Sequence, residues 1–186
     1  MSIFDNLKKT AKDLASQAAT AASSKKETFV FAALPESVSD MQKLPEASLD
    51  TPFKAAALTV CALCAYAAEP SVGIEMLNFL KGPQPLSEYE KSFLKDRFMD
   101  NKHVPFSYFE GAKPENDYTP SEPFTVTVES DPYSFKDEGY ALLNIRSGGA
   151  DSARQVKLRK KGDQWFLWEQ FLMVGIRTPK SADPWA

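Results

Sequence analysis

The sequence predicts an α+β fold: three helices on one face of an antiparallel meander sheet of four or five strands, preceded by an amphipathic N-terminal helix. Three observations predict it. Helical spacing with capping signals fills residues 51–99. Two-residue alternation fills residues 124–174. The composition, 186 residues with 43% hydrophobic and 25% charged, is that of a folded domain long enough to enclose a core,.

The first element lies in residues 2–22. At the helical period, Ile3, Phe4, Leu7 and Leu14 fall with several alanines inside an arc of about 120°,. Lys8, Lys9 and Lys12 lie opposite. Residues 1–26 hold five lysines and two aspartates, whereas the whole chain carries a net charge of −3. A basic amphipathic arm therefore precedes an acidic body. Ser23-Ser24-Lys25-Lys26 reads as its linker, which puts the arm at 1–26 and a single α+β domain at 27–186,.

Residues 28–33, TFVFAA, suit a short strand,. Pro35 and Pro45 make residues 34–50 a loop with one helical turn,. Thr51 can cap a helix and Pro52 suits its first position,. That helix runs to about Ala68, is apolar nearly all round, and so belongs in the core,. Glu69-Pro70 stops it,. Ser71 to Lys81 forms a second helix, ended by Gly82-Pro83,. Ser87 and Glu90 have capping-box spacing for a third, reaching about Met99, with Tyr89, Phe93, Leu94 and Phe98 as its apolar face,.

Residues 101–123 are aromatic and proline-rich without a period. Loops of this length are often functional, but rings most often serve packing, and a lid over one end of the core is favoured. Four strands follow: Phe124–Ser130, Tyr140–Ser147, Arg154–Lys161 and Gln164–Val174, with Gly162-Asp163 as a hairpin loop,. Alternation assigns Phe124, Val126, Val128, Ala141, Leu143, Ile145, Val156, Leu158, Trp165, Leu167 and Phe171 to the core face,. The outer face gathers Arg146, Lys157, Arg159, Phe166 and Trp168, cations interleaved with rings. If the hairpin closes at Lys161 and Gln164, Arg159 stands opposite Phe166 and Lys157 opposite Trp168, as cation–π pairs,.

Several chemistries are excluded or disfavoured. Cys61 and Cys64 sit mid-helix among alanines, and with His103 as the one histidine they fall short of four zinc ligands,. They read as small core residues, and no metal is expected. No phosphate-binding glycine loop, dinucleotide fingerprint or zincin motif occurs, so no cofactor is expected,. His103 has no nucleophile partner in sequence and reads as a loop anchor, and the many carboxylates read as a solvated surface,. The segment from Arg146 to Arg154 could form an anion-binding nest at Gly148-Gly149, but its residues are also ordinary turn formers, with Asp151 placed to pair with Arg154,.

No apolar run of a secretory signal follows the N-terminal lysines, and residues 55–68 are too short to span a bilayer of ~30 Å hydrocarbon,. The expected location is cytoplasmic, membrane-peripheral if the arm engages lipid.

The blocks FVFAALPESV, LDTPFKAAALTV, FLKGPQPLS, PFSYFEGAKPEN, RSGGADS, WFLWEQFL and IRTPKSADPWA, spread over residues 29–186, resemble an uncharacterised bacterial family, a domain of unknown function. That resemblance implies no activity, cofactor or catalytic residue. SIFDNLKK is similar, over a short stretch, to the amphipathic starts of phage-shock-type proteins. A long helix followed by a curved meander also resembles the cystatin-like or NTF2-like architecture.

Three functions follow as expectations. The first is a non-enzymatic binding module that takes a protein or small ligand on Arg146, Lys157, Arg159, Phe166 and Trp168. Nucleic acid is disfavoured by the acidic body. The second is a peripheral membrane or assembly protein acting through Ile3, Phe4, Leu7, Lys8, Lys12 and Leu14 on anionic lipid. The third is an enzyme of unrecognised type built on His103 with nearby carboxylates, or on the Arg146–Arg154 loop.

Overall fold

Residues 24–186 are described by the computed structural model, and the N-terminal amphipathic helix expected over 2–22 lies outside them. The β-branched and aromatic run at the start forms strand β1, Lys26–Phe31. Lys25 already joins the sheet: its N–H donates to Ser130 Oγ at 2.9 Å, and its carbonyl accepts from the Ser130 N–H at 2.7 Å. Lys26 pairs with Glu129 at 3.0 Å. The two lysines read as linker are therefore sheet residues, because strand pairing reaches back to them.

Short helix α1, Val38–Gln42, is capped by Ser37 and buries Met41. Helix α2, Pro52–Ala68, starts where Thr51 Oγ1 accepts from the Lys54 N–H. Fourteen of its residues are buried: Pro52, Phe53, Ala55 to Cys64 without a break, Tyr66 and Ala67. Helix α3, Pro70–Lys81, turns back against it. Gly73 permits the close crossing, since a Cβ there would overlap the Tyr66 backbone. Gly82, at φ +60, ends α3. Helix α4, Glu88–Phe98, opens on the Ser87–Glu90 capping box with both bonds formed. It buries only Leu94 and Phe98, and the Phe98 ring lies 4.5 Å from that of Tyr66.

The sheet is antiparallel and five-stranded, in chain order: β1, β2 (Phe124–Glu129), β3 (Tyr140–Ile145), β4 (Arg154–Lys161) and β5 (Gln164–Gln170). Among the described residues, all the long helices lie between β1 and β2 in sequence, and they cover one face. Helix α2 touches every strand, which makes it the axis around which the sheet curls. β2 and β3 pair only at Val128–Ile145 and Glu129–Asn144, so the sheet opens there.

Val126, Val128, Ala141, Leu143, Ile145, Val156, Leu158 and Leu167 all reach the core. Phe124 and Trp165 are half-buried, and Phe171 is 40% exposed, because β5 ends at Gln170 before reaching it. The hairpin closes at Lys161–Gln164 and sets Arg159 opposite Phe166. A bulge then opens between Lys157 and Leu158: Leu158 faces Leu167 and Lys157 faces Glu169. Trp168 is the extra residue, so it does not stand opposite Lys157,.

The aromatic loop lies over one end of the core. Tyr108, Phe109 and Tyr118 are buried, and Tyr108 donates its hydroxyl hydrogen to the Leu172 carbonyl.

Candidate binding cleft

The bulge and the loose seat of α4 leave a gap between β5 and α4. It is an open cleft of about 1000 Å³. The floor is apolar, made by Leu63 of α2, Leu77 of α3, Leu94 of α4 and Leu167 of β5, all buried. Phe93, Phe166 and Trp168 form the half-buried sides, and Tyr89 stands exposed at the mouth. Residues 83–87, with two prolines, bound one end.

Lys81, the last residue of α3, bridges the two walls. Its side chain is 6% exposed. Nζ donates to Glu90 Oε1 at 2.6 Å and to the Trp168 carbonyl at 3.2 Å. Glu90 Oε2 meanwhile accepts from the Ser87 N–H and hydroxyl. Burial acts to raise the Glu90 pKa, but the bonds from Lys81 and Ser87 outweigh it and hold the carboxyl below its ordinary value,. One carboxylate thus caps α4 and ties it to α3.

Arg159, Lys160 and Lys161, at the hairpin tip, also line the cleft. None of the three has a carboxylate partner among the described residues. Arg159 lies 4.6 Å from the Trp168 ring centroid and 5.6 Å from that of Tyr140. Lys160 lies over Trp165 at 5.9 Å. The outward edge of β5 is partly occupied: the Trp165 N–H donates to the Leu49 carbonyl at 2.8 Å, and Lys81 holds the Trp168 carbonyl.

Of the five residues proposed from sequence, Arg159, Phe166 and Trp168 line this cleft. Lys157 stands outside it, over Tyr140 at 4.8 Å, in a smaller depression with Tyr133 and Asp137. Arg146 follows β3 at the end of the sheet away from Arg159, exposed beside Glu129 at 3.5 Å. Sequence reasoning missed Lys81, Glu90 and the lysines of the tip as parts of one site. The run Arg159-Lys160-Lys161 before a hairpin turn was the available signal for the tip.

The other candidates have structural partners. Cys61 and Cys64 are buried free thiols, and burial pushes both pKa values up, away from reactive thiolate,. No group of residues suited to a metal occurs among the described residues. His103 is half-buried and stacks on Tyr118 at 5.2 Å, away from the cleft. The backbone N–H groups of the Gly148-Gly149 turn are taken by Ser107 and Ser147. Arg154 bonds the Val174 and Gly175 carbonyls rather than Asp151, which pairs with Arg177. That loop anchors the C-terminal segment. No helix among the described residues is long and apolar enough to cross a membrane.

Fold and site together define an α+β domain of helices on a curled antiparallel sheet, with an apolar, cation-rimmed cleft beside its edge strand. Residues 33–180 match the family described as a domain of unknown function, DUF6935, and the chain belongs to that family. No curated protein and no solved structure matches it. Within the match, residues 83–87 bound one end of the cleft and residues 166–170 contribute its β5 wall.

Proposed function

We propose that this domain is a non-enzymatic binding module whose site is the cleft between α4 and β5. The observation that carries the reading is a concave, leucine-floored cleft of about 1000 Å³, with cations at its mouth that have no carboxylate partner among the described residues. Its volume is at the upper end of what small-ligand sites use, and its mixture of apolar walls with a few polar groups is what such sites share. Binding rather than catalysis is favoured by the partners of its polar groups. Lys81 and Glu90 are bonded to each other and to the backbone, and His103 and the thiols lie elsewhere.

The test is amide chemical-shift mapping of the full chain against a mixed set of fragments: neutral apolar, anionic, cationic, nucleotide and peptide. Concerted, saturable shifts in residues 81–94 and 159–171 are expected. Shifts confined to other regions, or none from any class, would end the proposal.

A second reading is favoured by the sequence of the arm alone: Ile3, Phe4, Leu7 and Leu14 opposite Lys8 and Lys12 suit an anionic bilayer surface,. Flotation with anionic vesicles, retained by the full chain and lost by residues 24–186, is the expected result. Equal behaviour of the two removes this reading.

A further inference from the structure

We infer that the cleft takes a single acyl chain ending in a carboxylate, with the chain along the leucine floor and the carboxylate at Lys160 and Lys161. The inference rests on the cleft being a binding site and adds the chemistry of the ligand.

The apolar and charged parts of the cleft are separated in space. Leu63, Leu77, Leu94 and Leu167 come from four different elements and pack beneath the cleft, where half-buried Leu86, Phe93 and Phe166 add the apolar surface that a chain would cover. An apolar chain laid there removes water from the cleft at no cost in unpaired hydrogen bonds. The cations gather at the hairpin tip that closes β4 onto β5. Four cations line the cleft against two carboxylates, Glu90 and Glu169, on a chain whose net charge is −3. Lys81 is not free to meet a ligand anion, because Glu90 holds it. The charge left for a ligand is at the tip, and Lys160 and Lys161 are exposed there.

Three alternatives fit less well. A peptide added as a strand needs the outward backbone of β5, but the Trp165 N–H and Trp168 carbonyl there are already bonded,. A base stacked on Trp168 meets a ring with Arg159 over it and Tyr140 edge-on at 5.9 Å,. A phosphate head favours a guanidinium fork or a backbone nest. The one arginine in the cleft is stacked on two rings, so the cations left for a head group are lysine point charges: Lys161, and Lys160, which lies over the Trp165 ring at 5.9 Å,.

The test titrates the isotope-labelled full chain with dodecanoate, dodecanol, dodecyl phosphate, acetate and an acidic extended peptide. Dodecanoate is expected to shift residues 81–94 and 159–171 saturably. Dodecanol should bind about tenfold more weakly or worse, and acetate should leave the cleft unshifted, because chain and head act together. The double variant K160E/K161E should weaken dodecanoate about tenfold and leave dodecanol unchanged. F93D should weaken both. If F93D fails to fold, K160E/K161E still decides, since both lysines are exposed and neither has a carboxylate partner among the described residues. Equal affinity for dodecanoate and dodecanol, indifference to K160E/K161E, or stronger binding of dodecyl phosphate or the peptide would overturn the assignment. Fragments that shift the cleft while dodecanoate does not would overturn the ligand class and leave the binding module standing. Silence from every probe and fragment would remove both.

Discussion

Gly82 and Lys81 are neighbours in sequence and shape the same end of the cleft for different reasons. Gly82 has φ +60 and ψ −120, a conformation open to glycine and strained for other residues,. A Cβ there would also overlap the Phe166 ring. Gly82→Ala is therefore expected to cost ~1–3 kcal/mol in backbone strain alone. It should also displace Phe166 in the cleft wall. Urea unfolding checks the first effect and amide shifts around 166 the second. Unchanged stability would mean that the turn relaxes without cost. At Lys81 the issue is charge. Removing the Glu90 charge leaves a buried ammonium with a backbone carbonyl as its remaining bonded partner. Glu90→Gln keeps an acceptor for the α4 cap and so isolates the ion pair. A loss of ~1–2 kcal/mol is expected, discounted from a fully buried pair because Glu90 is 36% exposed,. Glu88→Gln, which breaks only the exposed pair with Lys91, should leave the denaturation midpoint where it is. The sign with pH follows from the lowered Glu90 pKa. Its contribution is present above the ordinary carboxylate range and fades as pH falls through the lowered value,.

Helix α4 is the element on which the cleft depends. It has two buried side chains, Leu94 and Phe98, so its N-terminal half relies on the capping box and on the Glu90–Lys81 tie. Ser87→Ala removes the acceptor for the Glu90 N–H and is expected to cost ~1 kcal/mol,. The loss should appear as faster amide exchange in residues 88–92, with α2 unaffected. Uniformly faster exchange across α2 as well would show that α4 does not open on its own. The elements themselves were legible: Thr51-Pro52, Glu69-Pro70, Gly82-Pro83 and Ser87–Glu90 mark helix boundaries through local backbone chemistry that needs no tertiary context,. The strand faces were legible as far as Leu167, where alternation holds. Trp168 keeps the outer face that alternation gave it, beside Arg159 and Tyr140, but the register from there on was not legible, because a bulge adds one residue without a composition signal, and it moved Lys157 from Trp168 to Glu169. Tyr89 misled for the opposite reason: helical spacing put it on an apolar face that the fold leaves 79% exposed at the cleft mouth.

At the scale of the whole molecule, segments far apart in sequence converge on the C-terminal segment, and none of this was legible from spacing. Tyr118 donates to the Arg177 carbonyl at 2.6 Å, and the Arg177 N–H donates to the Gly149 carbonyl at 2.9 Å. Asp151 pairs with Arg177, and Asp117 accepts from the Ser181 N–H. His103 closes this cluster by stacking on Tyr118. Burial lowers the His103 pKa, against a hydrogen bond with the Arg177 backbone that raises it,. A histidine depressed in the fold is one the unfolded chain protonates first. Stability is therefore unaffected well above the ordinary value of 6.5, and falls as pH drops through it,. Asp40, Asp50, Glu90 and Asp117 are shifted down, so their contributions are lost only at lower pH. Between pH 6.5 and ~5 the one histidine of the chain should then set the slope, bounded by one proton per molecule,. Thermal melts across that range are expected to fall in the wild-type protein and to flatten in His103→Phe, which keeps a ring on Tyr118. A flat wild-type profile, or a slope that survives the substitution, would place the acid sensitivity elsewhere. Because the cluster is built from residues 103, 118, 149 and 177, acidification should loosen the C-terminal segment before it reaches α4. Exchange in residues 177–182 should therefore accelerate while the amides around the cleft stay protected.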